Sequence, residues 1–124
     1  MNLNIVFIAI GAFILYRALY PLISGQLSYK AFKELLDGDQ PPLILDVRTS
    51  SEYKGGHIKG AINVSHEKLP KGLGKKILNK SNAIVVYCQS GSRSGAALRS
   101  LKGAGYSNVK NFGAISRWKE SLVR

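Results

Sequence analysis

The sequence is poor in cysteine, in tryptophan and in acidic residues. Its 124 residues include one Cys, one Trp and 7 acidic side chains, against 18 Lys and Arg. A single cysteine cannot form an intramolecular disulfide, which excludes the class of small secreted domains that disulfides stabilise. The thiol is therefore either kept for its reactivity or a small buried residue. The formal net charge of +11 serves solubility, or it indicates an anionic substrate, an acidic partner or an anionic membrane surface.

One long apolar stretch lies near the N-terminus. It covers residues 3–23 and reads LNIVFIAIGAFILYRALYPLI. As a helix it would be about 31 Å long, close to the thickness of the hydrocarbon core of a membrane. Residues 1–24 are therefore predicted to form a transmembrane anchor segment, and residues 25–124 the folded domain.

A cleaved signal peptide and a buried soluble helix are the two alternatives for this stretch. A signal peptide normally carries Lys or Arg before its apolar part, and none is present there. The basic residues Arg17, Lys30 and Lys33 come late in the stretch or after it. The positive-inside rule then predicts a single-pass protein of the cell membrane with its domain facing the cytoplasm. A cytoplasmic location would also keep the cysteine reduced.

Beyond residue 26, segments typical of helices alternate with short apolar segments typical of strands. The predicted strands are 43–45, 61–64, 83–87 and 109–112; the predicted helices are 28–37, 50–54, 71–78, 94–102 and a final amphipathic helix marked by Ile115, Trp118 and Leu122. Strands that are apolar throughout and separated by helices predict a parallel sheet covered on both faces. The predicted fold class is therefore α/β, preceded by one transmembrane helix.

The cysteine lies at the end of the most apolar predicted strand, where residues 84–94 read IVVYCQSGSRS. Ligands of an open parallel sheet bind beyond the carboxyl ends of its strands. Gly91 and its small neighbours permit a tight curl whose amide N–H groups face inward, and the following helix adds the positive end of its dipole. These groups favour a thiolate over a thiol, so we predict that Cys88 is a nucleophile. An inert buried thiol requires neither this curl nor an arginine beside it.

Three motifs and a tryptophan now point to a family. They are LDVR at 45–48, EYKGGHIKGAINV at 52–64, CQSGSRS at 88–94, and Trp118. In this order and spacing, over residues 27–124, the chain resembles the rhodanese family. The resemblance implies a single-domain sulfurtransferase with a parallel-sheet α/β fold.

In the chemistry that the resemblance implies, Cys88 takes the outer sulfur of a donor such as thiosulfate and becomes a persulfide. The sulfur then passes to a thiol or protein acceptor. No metal, organic cofactor or nucleic-acid partner is implied. The candidate substrate-binding residues are those of the loop, Gln89, Ser90, Gly91, Ser92, Arg93 and Ser94; the candidate structural residues are Asp46, Arg48 and His57.

Arg93 has two possible roles in this interpretation: it holds the anionic donor, or it braces the loop by pairing with Asp46 or Glu52. Two other functions are also compatible with the fold. One is a non-catalytic rhodanese-like interaction module, although such modules usually lack the cysteine. The other is a cysteine-dependent phosphatase, but related phosphatases have one more residue between Cys and Arg than the stretch 89–92 provides here.

Overall fold

The computed structural model describes residues 2–24, 26–77 and 79–124, and their side chains except those of residues 20–24. The predicted boundary between anchor and domain falls on Gly25, and the helix predicted over 71–78 ends at Leu78. Both residues lie outside the described part of the chain.

One parallel sheet organises the domain. It contains β1 (Leu43–Asp46), β2 (Ile62–Asn63), β3 (Ile84–Cys88) and β4 (Val109–Ala114), in the order β2–β1–β3–β4. The α-helices are α1 (Leu3–Ser24), α2 (Tyr29–Leu36), α3 (Ser50–Lys54) and α4 (Ser92–Gly103), and short 3₁₀ helices cover His66–Lys68, Lys71–Lys76 and Ile115–Arg117. The predicted parallel-sheet α/β fold is therefore confirmed.

The sheet separates two apolar clusters, as a parallel sheet with helices on both faces should. Along β3 the side chains of residues 84, 86 and 88 join the cluster that contains Leu101 of α4. Residues 85 and 87 join the other cluster, which contains Phe32 of α2. This alternation places the Cys88 sulfur on the face that α4 covers.

Local caps fix the helices that flank β1. Ser28 accepts a hydrogen bond from the amide of Ala31 at 3.1 Å and caps α2, as its position before the apolar helix face predicts. Thr49 and Glu52 form a reciprocal capping box at the start of α3. Because α3 follows the carboxyl end of β1, this box also fixes the place of Glu52 near the Cys88 loop.

Two of the predicted helices are wrong. The segment at Lys71–Lys76 is a 3₁₀ helix interrupted at Gly74, whose φ is 52°. The predicted final amphipathic helix is a 3₁₀ turn at Ile115–Arg117 followed by extended chain, and the backbones of Val123 and His57 exchange hydrogen bonds of 2.8 and 2.9 Å. Pairing with His57 satisfies the backbone of the terminal segment, so no helix is needed there.

The N-terminal stretch is helical, as predicted, over Leu3–Ser24. Its large apolar side chains, among them Ile8 and Phe13, are exposed and do not join either apolar cluster. Within the described residues, no helix combines the length and the apolar character that a membrane crossing requires. The predicted transmembrane helix is therefore not supported. The charge-free part of this stretch, residues 3–16, is about 21 Å long as a helix, shorter than a hydrocarbon core of about 30 Å.

Candidate active site

Cys88 is the last residue of β3, and its sulfur is surrounded by hydrogen-bond donors of the loop that follows. The amides of Gly91 and Ser94 donate to Sγ at 3.0 and 3.3 Å. Gly91 adopts φ 104°, a left-handed conformation that residues with a Cβ resist. This conformation turns the chain sharply from β3 into α4, so that both amides face the sulfur.

The first turn of α4 supplies part of this arrangement. The helix begins at Ser92, two residues before the predicted start, and its first helical hydrogen bond runs from the Gly95 amide to the Gly91 carbonyl at 3.1 Å. The amides of residues 92–94 therefore lack partners within the helix. The Ser94 amide is the one that donates to the sulfur. The partial positive charge of the helix N-terminus lies close to the same sulfur atom.

The Ser94 hydroxyl links the sulfur to the loop backbone. In the thiol form, the S–H group donates to Ser94 Oγ at 3.5 Å, and that hydroxyl donates to the Gly91 carbonyl at 2.9 Å. A serine hydroxyl has one hydrogen and can rotate it. When Cys88 loses its proton, the same hydrogen can turn from the Gly91 carbonyl to the sulfur.

Opposing effects set the pKa of Cys88. Burial raises the pKa of this thiol, but the Ser94 hydroxyl and the amides of Ser94, Gly91 and Ser90 lower it by hydrogen bonding to the sulfur. The net effect places the pKa of Cys88 below the ordinary value for a cysteine. The loop therefore increases the thiolate fraction near neutral pH, and the thiolate is the nucleophilic form.

Arg93 forms a two-point ion pair with Glu52. Its Nη1 and Nη2 atoms donate to the two carboxylate oxygens at 2.6 and 3.0 Å. Hydrogen bonding from Arg93 lowers the pKa of Glu52 to about 2, so this carboxylate is charged at neutral pH. Of the two partners considered for Arg93 from the sequence, the structure places Glu52 against it. The pair ties the Cys88 loop to α3.

Asp46 and Arg48 form a second, buried ion pair beneath the loop. Nε and Nη2 of Arg48 donate to the Asp46 carboxylate, the shortest contact being 2.7 Å. Nη2 also donates to the Gly56 carbonyl at 2.7 Å, and Nη1 donates to Oε1 of Gln89 at 3.1 Å. Because Gln89 follows Cys88 directly, this network connects the ends of β1 and β3.

The part of the sequence that builds this site matches a known family. The family model described as rhodanese-like domain covers residues 28–121. The chain belongs to the rhodanese-like domain family. This membership confirms the resemblance seen in the three sequence motifs.

Relatives of this rhodanese-like domain include proteins named for sulfur chemistry. The thiosulfate sulfurtransferase PspE of Escherichia coli is 32% identical over 71 residues, which cover 57% of this chain and 68% of the relative. The putative sulfur carrier protein YrkF of Bacillus subtilis is 36% identical over 86 residues, which cover 69% of this chain but only 45% of YrkF. A solved structure titled rhodanese with anions from E. coli matches with a TM-score of 0.63 at 29% identity, covering 67% of this chain and 98% of that one.

The other predicted site residues of the rhodanese-like domain differ in how exposed they are to solvent. Gln89, Ser90 and Ser92 are exposed at the mouth of the loop, whereas Ser94 is buried beside the sulfur. His57 stacks on Tyr53 with ring centroids 3.7 Å apart, and its Nδ1 is 2.9 Å from the Tyr53 carbonyl oxygen. Within the described residues no group of acidic, histidine or cysteine side chains is arranged to hold a metal ion.

One member of the site was missed from the sequence. The hydroxyl of Tyr87, on β3, donates to Asp46 at 2.8 Å and accepts from the Ile58 amide at 3.1 Å. It therefore orients the carboxylate that holds Arg48. The signal was present, because a tyrosine in an otherwise aliphatic buried strand requires a partner for its hydroxyl.

Proposed function

We propose that this rhodanese-like domain is a sulfurtransferase that moves sulfane sulfur from a donor such as thiosulfate to a thiophilic acceptor through a persulfide on Cys88. The observation that carries the proposal is the pair of amides, from Gly91 and Ser94, that donate to the Cys88 sulfur. The PspE relative is named as a thiosulfate sulfurtransferase, which supports the same reaction class.

The proposed reaction has two displacements at sulfur. In the first, the Cys88 thiolate attacks the outer sulfur of thiosulfate, a new S–S bond forms, and the sulfur–sulfur bond of thiosulfate breaks with its electron pair leaving on sulfite. In the second, the acceptor attacks the terminal sulfur of the persulfide, and the electron pair of that S–S bond returns to Cys88 as thiolate. Neither step changes the total charge or needs an external oxidant or reductant.

The loop donors would serve both displacements. The pKa of Cys88 is lowered by hydrogen-bond donors of Ser94, Gly91 and Ser90. These donors stabilise the Cys88 thiolate, which is the attacking group in the first step and the leaving group in the second. Arg93 would act through its ion pair with Glu52 by holding the loop in place. Asp46 and Arg48 would position Gln89 at the mouth.

The test is to treat the full chain with thiosulfate, remove the excess, and analyse the peptide that contains Cys88 by mass spectrometry. We expect the mass of one added sulfur, and its loss after incubation with cyanide. An unmodified peptide after exposure to several sulfane donors would contradict the proposal.

Membrane localisation, with a single span and the domain in the cytoplasm, stays a prediction from the sequence. We propose the weaker statement that residues 3–23 attach the chain to a membrane, because the apolar side chains of α1 are exposed. Burying such side chains in lipid is favourable.

We expect the full chain to stay with the membrane pellet after a high-salt wash, since salt removes proteins held only by charge. A chain shortened to begin at Gln26 serves as the control and should move to the supernatant. Finding the full chain in the supernatant as well would refute membrane attachment through α1.

A further inference from the structure

The two layers that cover the sheet differ in charge. One layer contains α4 and the 3₁₀ segments that follow β2, because Leu101 of α4 and Leu73 of those segments join the same apolar cluster. The outer surface of this layer is the α4 face. Its lysine-rich part, residues 66–80, has five lysines and one acidic residue. The helix α4 adds the exposed cations Arg99 and Lys102, so the α4 face is strongly positive.

Negative charge lies elsewhere in the domain. Three acidic residues lie on or just after α2, which covers the opposite face of the sheet: Glu34, Asp37 and Asp39. A fourth, Glu120, pairs with Lys33 of α2 at 3.0 Å. Two more form the ion pairs of the candidate active site. The structure describes all seven acidic residues of the sequence, and Glu67 alone is left for the α4 face.

The lysines of the α4 face are free to bind an external anion. Burial of Leu73 holds the segment Lys71–Lys76 against the sheet. Within the described part of the chain, four exposed lysines of this face form no ion pair and no hydrogen bond with the protein: Lys68, Lys71, Lys75 and Lys76. Anions outside the molecule are therefore the available partners for these ammonium groups.

Two cavities on this face each have two lysines in their lining. One cavity, of about 250 Å³, is lined by Lys68 and Lys76 together with two serines. The other, of about 230 Å³, is lined by Lys71 and Lys80. Ammonium and hydroxyl groups are hydrogen-bond donors that suit the oxygens of a phosphate. Two such places on one face fit a partner that presents many phosphates side by side, as the headgroups of a lipid bilayer do.

The position of α1 indicates that this partner is a membrane. The helix ends at Ser24, and the amide of Leu27 donates to the Asn111 carbonyl of β4 at 2.8 Å. Three residues span at most about 11 Å, so the end of α1 stays close to β4. The lysine-rich part reaches the same strand, because the Lys80 carbonyl accepts from the Ser107 amide at 3.0 Å, just before β4 begins. Burial of the exposed apolar side chains of α1 in lipid would bring these lysines within reach of the headgroups.

Resting on the proposed attachment of α1 to a membrane, we propose that the α4 face is a second membrane-contact surface, which binds the phosphates of anionic lipids through its unpaired lysines. The juxtaposition that carries this inference is a set of unpaired lysines around two cavities, on the more positive face of a domain tethered to an exposed apolar helix. An acidic protein would also match the charge, but it would leave the apolar side chains of α1 in water.

The experiment measures partitioning of the full chain between water and vesicles by cosedimentation. One set of vesicles is phosphatidylcholine alone, and the other is an equal mixture of phosphatidylcholine and phosphatidylglycerol. We expect partitioning to the anionic vesicles to be at least about tenfold stronger, because each lysine close to an anionic surface contributes about fivefold. High salt should remove most of this preference, since it screens charge, while binding to the neutral vesicles persists through α1.

The triple variant Lys71→Gln, Lys75→Gln, Lys76→Gln is expected to lose most of the preference for anionic vesicles. Its partitioning to neutral vesicles should equal that of the unaltered chain, because α1 is unchanged. Replacing the same three lysines with arginine keeps the charge and should keep the preference.

The matched control is the triple variant Lys30→Gln, Lys59→Gln, Lys119→Gln. These lysines are exposed, and they adjoin Tyr29, Ile58 and Trp118, which all belong to the apolar cluster on the α2 side. The control loses the same number of charges but leaves the α4 face intact, so it should keep the preference for anionic vesicles. A difference between the two triple variants reports the position of the lysines rather than the net charge of the chain.

Equal partitioning of the unaltered chain to both kinds of vesicle would overturn the inference and leave attachment through α1 intact. Equal losses of preference in the two triple variants would also overturn it, because net charge would then decide binding. Retention on immobilised polyglutamate that the α4-face variant loses, without any vesicle preference, would assign the face to an acidic protein instead. Failure of the full chain to bind either kind of vesicle would contradict the attachment through α1 on which the inference rests.

Discussion

The Cys88→Ala protein is expected to form no thiocyanate from thiosulfate and cyanide above the rate measured without protein. Cys88 is the single cysteine of the sequence, so no other thiol can carry the transferred sulfur. The loss should be complete rather than partial, because the substitution removes the atom to which the sulfur would bind covalently. The measurement is the rate of thiocyanate formation by the purified full chain.

A second variant distinguishes loss of the nucleophile from loss of activity through destabilisation of the fold. In Cys88→Ala the amides of Gly91 and Ser94 lose their acceptor, which costs roughly 1–3 kcal/mol for an unsatisfied buried donor. Cys88→Ser restores an oxygen acceptor at the same position but offers a hydroxyl that does not ionise near neutral pH. We expect the serine variant to unfold like the unaltered protein and still to be inactive. Thiocyanate formation at the normal rate by either variant would refute the role of Cys88.

Gly91→Val is expected to reduce turnover about 100-fold, far more than it reduces the folded fraction. An added Cβ at this position would meet no atom closer than 3.9 Å, so the site has room for it. The difficulty is conformational, because φ 104° is unfavourable for valine by roughly 1–3 kcal/mol. Relief of this strain rotates the Gly91 amide away from the sulfur, which lies 3.0 Å from it. Stability should therefore fall by about the same 1–3 kcal/mol, while the Gly91 amide no longer donates to the sulfur.

Gly103→Val is the matched control for this substitution. Gly103 is the last residue of α4, and a Cβ added there meets nothing within 4 Å. Turnover and thermal stability should both stay close to those of the unaltered chain. If Gly91→Val loses activity only in proportion to its unfolded fraction, as measured by denaturant titration, the amide arrangement around the sulfur does not matter for turnover.

The parts of the fold that could be predicted from sequence are those set by local chemistry. Ser28 precedes an apolar helix face and caps the helix. The run 84–87 forms most of β3, one of the two inner strands, because it is rich in β-branched and aromatic residues. The Cys88 loop could also be predicted, since a glycine and small residues at a strand end are required for a tight curl. Each of these signals is local, because it consists of residues that are close together in the sequence.

The parts that could not be predicted depend on residues distant in the chain. Asp46 and Glu52 were both possible partners for Arg93, and the structure pairs Arg93 with Glu52 because Asp46 is already paired with Arg48. The helical spacing of Ile115, Trp118 and Leu122 was misleading. Trp118 packs against Phe32 with ring centroids 5.5 Å apart, and the chain then extends to pair with His57 instead of continuing as a helix. Periodicity records which residues are apolar, not which elements they contact.

The most direct test of the account is the titration of Cys88 in the full chain, followed by the ultraviolet absorbance of the thiolate as pH rises. Subtracting the same titration of Cys88→Ser removes the signal of the tyrosines, so the difference reports one sulfur atom. The account predicts a midpoint clearly below about 8.5, the value of a free cysteine, because the donors of Ser94, Gly91 and Ser90 outweigh burial. A midpoint at or above that value would show that burial dominates and that the loop does not stabilise the thiolate.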